Sequence, residues 1–137
     1  MKDDIQRDVT EWLRFVKMDQ NTACHLFESM HPQPLEIICF HCQQAAEKAI
    51  KALFVLKEIE IVKIHDLGML IKMIQTEIAF PDTIKISAIS LTKYAATFRY
   101  PQSPDFDEAL TRKALADMET VITWCKEQIV LAGYEIE

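Results

Sequence analysis

The sequence predicts an all-α protein, an up-and-down bundle of four to five helices. Three observations support this prediction. Apolar residues recur at the alternating three- and four-residue spacing of a helical face along most of the chain. Only two glycines occur in 137 residues, although folds rich in β-hairpins need glycine in their turns. Proline-containing breaks divide the chain into helix-length segments, and the short connections favour antiparallel neighbours.

The first predicted helix runs from about Asp3 to about Met30 and is followed by a break at His31–Pro34. Its apolar stripe is interrupted at Asp19, where the spacing calls for another apolar residue. Two interpretations are open. In the first, the helix bends or ends at residues 20–22 and Asp19 is solvated. In the second, the Asp19 carboxylate lies inside the bundle, where it needs polar partners.

The second predicted helix, at about residues 35–57, has the strongest helical pattern, and we expect it to be the central helix of the bundle. It contains no Gly or Pro and is rich in alanine, the best helix former. One edge of this helix is polar and carries His41, Gln44 and Lys48. The polar residues beside them are Gln43, Glu47 and Lys51. The rest of the helix is expected to be buried.

The connection from Glu58 to Ile64 is rich in β-branched residues and is interpreted as a loop, with a short strand as the alternative. A third helix begins after it, with His65 or Asp66 as the capping residue. Its expected core stripe is Leu67, Leu70, Ile71, Ile74 and Ile78.

A fourth helix is expected to begin with Asp82 or Thr83 as its cap. It should stop near Arg99–Pro101, because a residue before proline disfavours the α region. The fifth helix runs from about residue 106 to about residue 132, and Gly133 suits the C′ position after it.

Composition limits the classes of function. The net charge of −6 argues against a general nucleic-acid coat, although it leaves room for one local basic pocket. Half the residues are hydrophobic, which predicts surplus apolar surface and self-association. No apolar run reaches the roughly 18 residues of a membrane span, and no signal peptide is recognisable at the N-terminus. We therefore expect a cytoplasmic protein with reduced cysteines.

Known catalytic and metal motifs are missing. Cys39 and Cys42 have a Cys-x-x-Cys spacing, but both lie within an apolar helical run and are interpreted as buried structural thiols. The alternative, a zinc site, needs about two further ligands, and Cys24 and His25 are the candidates. No Gly-rich phosphate loop, Gly-x-Ser-x-Gly elbow or His-Glu-x-x-His motif occurs. The sequence thus predicts no catalytic residue, metal or cofactor.

Several polar residues stand in unexpected places. Asp19 interrupts a core stripe, the polar edge follows the second helix, His65-Asp66 begins a helix, and Arg99-Tyr100 ends one. Each alone is equally well explained as a cap, a solvated side chain or an arginine that binds helix-end carbonyls. Together they could line one cleft between helices, which is typical of an anion or nucleotide pocket.

The stretch Phe40–Leu53, Phe-His-Cys-Gln-Gln-Ala-Ala-Glu-Lys-Ala-Ile-Lys-Ala-Leu, resembles the signature helix of the HEPN family (higher eukaryotes and prokaryotes nucleotide-binding domain). His65-Asp-Leu67 and Arg99-Tyr-Pro101 resemble its later motifs, in the same order and with matching spacing. Trp12-Leu13 with Asp19 is similar to the family's first helix.

This resemblance implies a single HEPN-like domain over residues 1–137, a helical bundle that is often a homodimer. It also implies nucleotide or RNA binding and, in many members, a minimal nucleotidyltransferase partner in a toxin–antitoxin-like pair. The candidate ligand-binding residues are Gln44, Lys48, His65, Arg99, His41, Asp66, Tyr100 and Asp19. Among them, Asp19, Lys48, His65 and Arg99 are expected to face a common space.

Some HEPN proteins are metal-independent ribonucleases that use Arg, four to six residues, and then His. No arginine of this chain is followed by histidine at that spacing. The sequence therefore favours a non-catalytic binding module. Two alternatives remain: a ribonuclease with a rearranged His65/Arg99 pair, and a protein-interaction bundle without a ligand site.

Overall fold

Five α-helices and one short 3-10 helix make up the computed structural model, which describes residues 1–96 and 106–136. The elements are α1 (Lys2–Ser29), α2 (Leu35–Leu56), α3 (Leu67–Ile74), α4 (Asp82–Leu91), the 3-10 helix (Thr92–Ala95) and α5 (Glu108–Leu131). No strand occurs in either described range, and the connection between α2 and α3 is a loop. The fold class is all-α, as the apolar spacing predicts.

The alanine-rich α2 is the central helix. It packs chiefly against α1 and α5 and also contacts α3 and α4. Ala45, Ala49 and Ala52 are fully buried on its apolar face. Their small side chains let the neighbouring helices approach α2 closely, which explains why this segment occupies the centre.

The first helix continues without a break through residues 20–22. The Thr22 hydroxyl donates to the Met18 carbonyl at 2.7 Å, so this polar stretch keeps helical geometry and forms no turn. Asp19 is only 8% exposed. Of the two interpretations of Asp19, the buried carboxylate is therefore correct.

The beginning of α3 and the beginning of α4 differ in how they are capped. Asp66 caps α3, where its side chain accepts a hydrogen bond from the Met69 backbone N–H at 3.2 Å. The expected cap of α4 is wrong, because neither Asp82 nor Thr83 makes a side-chain cap. Pro81 occupies the N-cap position, and its φ of −61° suits the entry to a helix.

The ends of α3 and α4 also differ from the sequence prediction. Helix α3 ends at Ile74, so Ile78 is buried but lies beyond the helix. Helix α4 ends at Leu91, well before the predicted stop at residues 99–101, which lie outside the described residues. The Thr92 hydroxyl accepts a hydrogen bond from the Leu67 N–H at 3.0 Å, which ties the 3-10 helix to the start of α3.

The fifth helix has a well-defined boundary at each end. The Asp107 side chain accepts a hydrogen bond from a first-turn N–H at 2.7 Å. At the other end Gly133 has φ of 94°, and the Tyr134 N–H donates to the Ile129 carbonyl at 3.2 Å. A second bond joins the Gly133 N–H to the Val130 carbonyl at 2.9 Å, which completes a Schellman motif.

The cysteines are free thiols in or near the core. Cys39, Cys42 and Cys125 are fully buried and Cys24 is half-buried. Burial raises the pKa of Cys39 to about 11, which keeps this thiol protonated at neutral pH. In the described part of the chain, no group of three or more His, Cys, Asp or Glu side chains is arranged to hold a metal ion. None of the described helices is long and apolar enough to cross a bilayer.

Candidate functional site

A buried carboxylate on α1 holds two polar side chains of α2. Asp19 Oδ1 accepts a hydrogen bond from His41 Nδ1 at 2.9 Å, and Asp19 Oδ2 accepts one from Lys48 Nζ at 2.5 Å. The Asp19 side chain is 11% exposed, and those of His41 and Lys48 are about one-quarter exposed. We call these three residues the Asp19 cluster.

Two opposing effects set the acidity of Asp19. Burial acts to raise its pKa, since it penalises the charged form. Hydrogen bonds from His41 and Lys48, together with their positive charges, act in the opposite direction and outweigh burial. The pKa of Asp19 is therefore lowered overall, and the carboxylate is ionised at neutral pH.

A second carboxylate gathers a separate group of polar side chains. Glu47 Oε1 accepts hydrogen bonds from His65 Nδ1 at 2.9 Å and from Gln43 Nε2 at 3.0 Å, and Oε2 accepts one from Lys51 Nζ at 3.0 Å. Gln44 Nε2 donates to Gln43 Oε1 at 2.7 Å. We call these five residues the Glu47 cluster. Glu47 and Lys51 are buried, whereas the His65 side chain is 63% exposed.

The expectation that Gln43, Glu47 and Lys51 lie on an open polar edge needs correction, because all three are buried. The loop before α3 covers this part of α2, and the His65 backbone carbonyl accepts a second hydrogen bond from Gln43 at 3.0 Å. These polar groups are therefore satisfied inside the protein.

The predicted site residues divide between these two clusters. Asp19, His41 and Lys48 come together, while Gln44 and His65 belong to the Glu47 cluster. Asp66 serves as the cap of α3. Arg99 and Tyr100 lie outside the described residues. Of the other three residues expected to face a common space, Asp19 and Lys48 are in contact, whereas His65 belongs to the Glu47 cluster.

A cavity of about 500 Å³ lies beside the Asp19 cluster, between α1, α2 and the loop after α2. We call it the base groove, because it is the candidate position for a nucleobase. The residues that line it are Asp8, Glu11, Trp12, Phe15, Lys48, Val55 and Ile61. Its wall is mainly apolar and aromatic, with Lys48 as the cation and two carboxylates of α1 as an acidic edge.

Two cations lie near the aromatic ring of Phe15. The Arg14 guanidinium carbon is 4.7 Å from the ring centroid, and Lys48 Nζ is 5.7 Å from it. Phe15 is 39% exposed, so part of the ring remains open. Sequence reasoning missed this residue. A usable signal was its position three residues after Trp12, which places both rings on one side of α1.

Comparison with known proteins identifies the family. A sequence model of the HEPN domain matches residues 9–128, and the chain belongs to the HEPN domain family. The match covers most of α1, most of α5 and everything between them, and it includes both carboxylate clusters. A search of curated proteins found no match.

Two solved structures share this fold. The archaeal HEPN homologue ST0689 has a TM-score of 0.69 and 24% sequence identity, over 88% of this chain and 97% of that chain. TT1696 from Thermus thermophilus has a TM-score of 0.73 and 20% identity, also over 88% of this chain and 97% of its own. Identities this low establish a common fold and nothing further.

Proposed function

We propose that this protein is a HEPN module that binds a nucleotide or RNA in the base groove, without catalysing a reaction. The observation that carries the proposal is the partly exposed Phe15 ring, which has Arg14 and Lys48 near it and lines the same groove as Trp12. Aromatic rings stack on nucleobases, and nearby cations bind phosphate. One groove thus offers both contacts that a nucleotide needs.

Lys48 is available to a phosphate although it is paired with Asp19. An ammonium group has three N–H donors, and Asp19 Oδ2 takes one of them. The Asp19 carboxylate therefore orients Lys48 and leaves two donors for a ligand. His41 occupies the other carboxylate oxygen and prevents Asp19 from turning away.

The acidic edge of the base groove suggests the orientation of the ligand. Asp8 and Glu11 repel phosphate, so the phosphate should lie at the Lys48 end of the groove. The two carboxylates can then accept hydrogen bonds from base amino groups. The family resemblance adds Arg99 as a second phosphate ligand and Tyr100 beside it; both are outside the described residues.

Calorimetry with AMP, ATP and a short single-stranded RNA tests this proposal. Phe15→Ala should weaken binding by about 1–3 kcal/mol, the usual value of one base–aromatic stack, while Phe15→Tyr should retain it. Lys48→Ala and Arg99→Ala should also weaken binding. Lys113→Ala is the matched control, because Lys113 also pairs with a carboxylate, Asp117, at 2.7 Å. Unchanged affinities in Phe15→Ala, Lys48→Ala and Arg99→Ala would refute the proposal.

The proposal also includes a homodimer and a minimal nucleotidyltransferase partner in a toxin–antitoxin-like pair. Family membership supports both, and exposed apolar side chains on α3 and α4 provide contact surface: Met69, Met73, Ile86 and Ile89. Light scattering should give a mass near twice 15.8 kDa. A nucleotidyltransferase encoded beside this protein should co-purify with it. If the dimer forms but no nucleotide or RNA binds, the protein is a pure interaction bundle.

A ribonuclease is the second candidate function, and the Glu47–His65 contact favours it. A carboxylate only accepts hydrogen bonds, so Nδ1 of His65 carries the proton and Nε2 of the neutral ring is a free acceptor. In that mechanism Nε2 takes the proton of an RNA 2′-hydroxyl, the O2′–P bond forms and the P–O5′ bond breaks. The products are a 2′,3′-cyclic phosphate and a 5′-hydroxyl, which takes a proton from the imidazolium.

RNA incubated with the purified protein and a metal chelator tests this second candidate. His65→Ala should abolish cleavage, and His31→Ala is the control because His31 is also exposed and lies in another loop. The absence of cleavage, or equal cleavage by wild type and His65→Ala, would exclude a ribonuclease that depends on His65.

A further inference from the structure

A second cavity lies on the opposite side of α1 from the base groove, and its charge differs from that of the whole protein. It has a volume of about 280 Å³ and lies between α1, α5 and the C-terminal tail. We call it the tail groove. It is lined by the cations Arg14, Lys17 and Lys126, by Glu135, and by the apolar Leu13 and Ile136 among others.

The tail that forms one wall of this groove is held in a defined position. After the Schellman turn at Gly133, Gln6 of α1 makes two hydrogen bonds to the backbone of Glu135. Gln6 Nε2 donates to the Glu135 carbonyl at 3.0 Å, and the Glu135 N–H donates to Gln6 Oε1 at 2.9 Å. Lys2 Nζ lies 5.6 Å from the centroid of the Tyr134 ring. The tail groove is therefore built by specific contacts.

The cations of the tail groove lack sufficient counter-charge. Within the described residues, neither Lys17 nor Lys126 has an ion-pair partner, and Arg14 pairs with Glu11 outside the groove. Glu135 is the one carboxylate among the described residues that line it. Lys17 and Lys126 therefore share one cavity with the single carboxylate of Glu135, and like charges repel each other unless an anion lies between them. In a chain of net charge −6, this local excess of positive charge points to an anionic ligand.

The two grooves are linked through neighbouring residues of α1. Trp12 and Phe15 line the base groove, while Leu13, Arg14 and Lys17 line the tail groove. Arg14 is close to both grooves. Its guanidinium carbon lies 4.7 Å from the centroid of the Phe15 ring, and its side chain lines the tail groove. A chain of phosphates that leaves a base stacked on Phe15 would pass over Arg14.

We propose that the tail groove is a phosphodiester-binding site and that the ligand of this protein is therefore a single-stranded polynucleotide, not a mononucleotide. This inference rests on the proposed function for the position of the base. One base stacks in the base groove, and the strand crosses the ridge of α1 at Arg14. The phosphates of neighbouring nucleotides then lie on Lys17 and Lys126. A ligand that fills both grooves must span a helix about 10–12 Å wide, which requires several nucleotides.

Fluorescence anisotropy with a labelled single-stranded RNA tests the tail groove, and calorimetry with AMP provides the comparison. Lys17→Ala/Lys126→Ala should weaken RNA binding about tenfold at low salt and leave AMP binding unchanged. The slope of log affinity against log salt should become shallower by about 1.4, which corresponds to two lost phosphate contacts on a single strand. Lys57→Ala/Lys72→Ala is the charge-matched control, because both lysines are exposed on other parts of the protein.

A variant that is expected to bind RNA more tightly controls for misfolding, because a misfolded variant would lose binding. Glu135→Gln removes the carboxylate of the tail groove but keeps the backbone contacts to Gln6, so RNA should bind more tightly and AMP should not. If Phe15→Ala weakens RNA binding and the two lysine substitutions do not, the tail groove is not a phosphate site, while base binding in the base groove is supported. If only the lysine substitutions weaken RNA binding, the base groove does not bind a base, while phosphate binding in the tail groove is supported. A wild-type protein that binds AMP but no RNA overturns the tail groove alone, and one that binds neither overturns both proposals.

Discussion

Lys48 Nζ of α2 lies 2.5 Å from Asp19 Oδ2 of α1, and this ion pair spans the main helix–helix interface of the fold. The Asp19 side chain is largely shielded from water, whereas the Lys48 side chain remains about one-quarter exposed. The same carboxylate binds His41 at 2.9 Å. One side chain of α1 therefore determines where two polar side chains of the central helix are directed.

Replacing Asp19 by alanine should destabilise the protein, because it leaves Lys48 and His41 without their shared acceptor. We expect Asp19→Ala to lower the free energy of unfolding by about 2–3 kcal/mol, below the roughly 3–5 kcal/mol of a fully buried pair because Lys48 keeps access to water. Urea denaturation measures this loss. Asp4→Ala is the control, since Asp4 is exposed and pairs with Arg7, and it should change stability by less than about 1 kcal/mol. Equal losses in both variants would contradict this expectation.

The lowered pKa of Asp19 predicts a dependence of stability on pH. A carboxyl group whose folded pKa lies below its unfolded value stabilises the folded state above the unfolded pKa, which is 3.8 for Asp. This contribution is lost as the pH falls through the folded pKa. The unfolding free energy of wild type should therefore decrease more steeply than that of Asp19→Asn as the pH falls below about 5. Parallel curves for the two proteins would show that Asp19 does not titrate at a lowered pKa.

Glu47 and Lys51 form a buried pair whose members should depend on each other. Lys51→Met leaves the Glu47 carboxylate buried without its cation, and Glu47→Met leaves Lys51 buried without its anion. Each single change should cost about 3–5 kcal/mol, while the double variant should lose clearly less than the sum, because two apolar side chains replace the charges together. A double-mutant cycle by chemical denaturation measures the coupling. Additive losses would mean that the pair does not act as a unit.

The four thiols should react at very different rates. Cys24 is half-buried, whereas Cys39, Cys42 and Cys125 are fully buried. Burial raises the pKa of all four thiols, and it raises those of the three fully buried thiols furthest. Since the thiolate is the reactive form, a disulfide reagent should modify Cys24 first in the native protein. Cys24→Ser should remove this first phase, and guanidinium should expose the remaining thiols. Two or more equally fast thiols in the native state would contradict this order.

Most of the fold could be predicted from the sequence, because helix formation and burial follow local patterns. The apolar spacing located α1, α2 and α5 to within about two residues, as is usual for helix boundaries. The expected cap and end of α4 were wrong. Pro81 replaces Asp82 or Thr83 as the cap, and Thr92 bonds to the start of α3, a contact 25 residues away in sequence.

The arrangement of the polar residues required the tertiary structure. The sequence pointed to Asp19, His41, Lys48 and His65, but it could not assign them to two carboxylates, because Asp19 meets its partners 22 and 29 residues away in sequence. The sequence also did not identify Phe15 as a candidate site residue, since an aromatic residue on a helix is usually part of a core. Periodicity specifies which side of a helix a residue occupies. Only the packing of α1, α2 and the loop before α3 decided which charges meet, and therefore which of them stay open to a ligand.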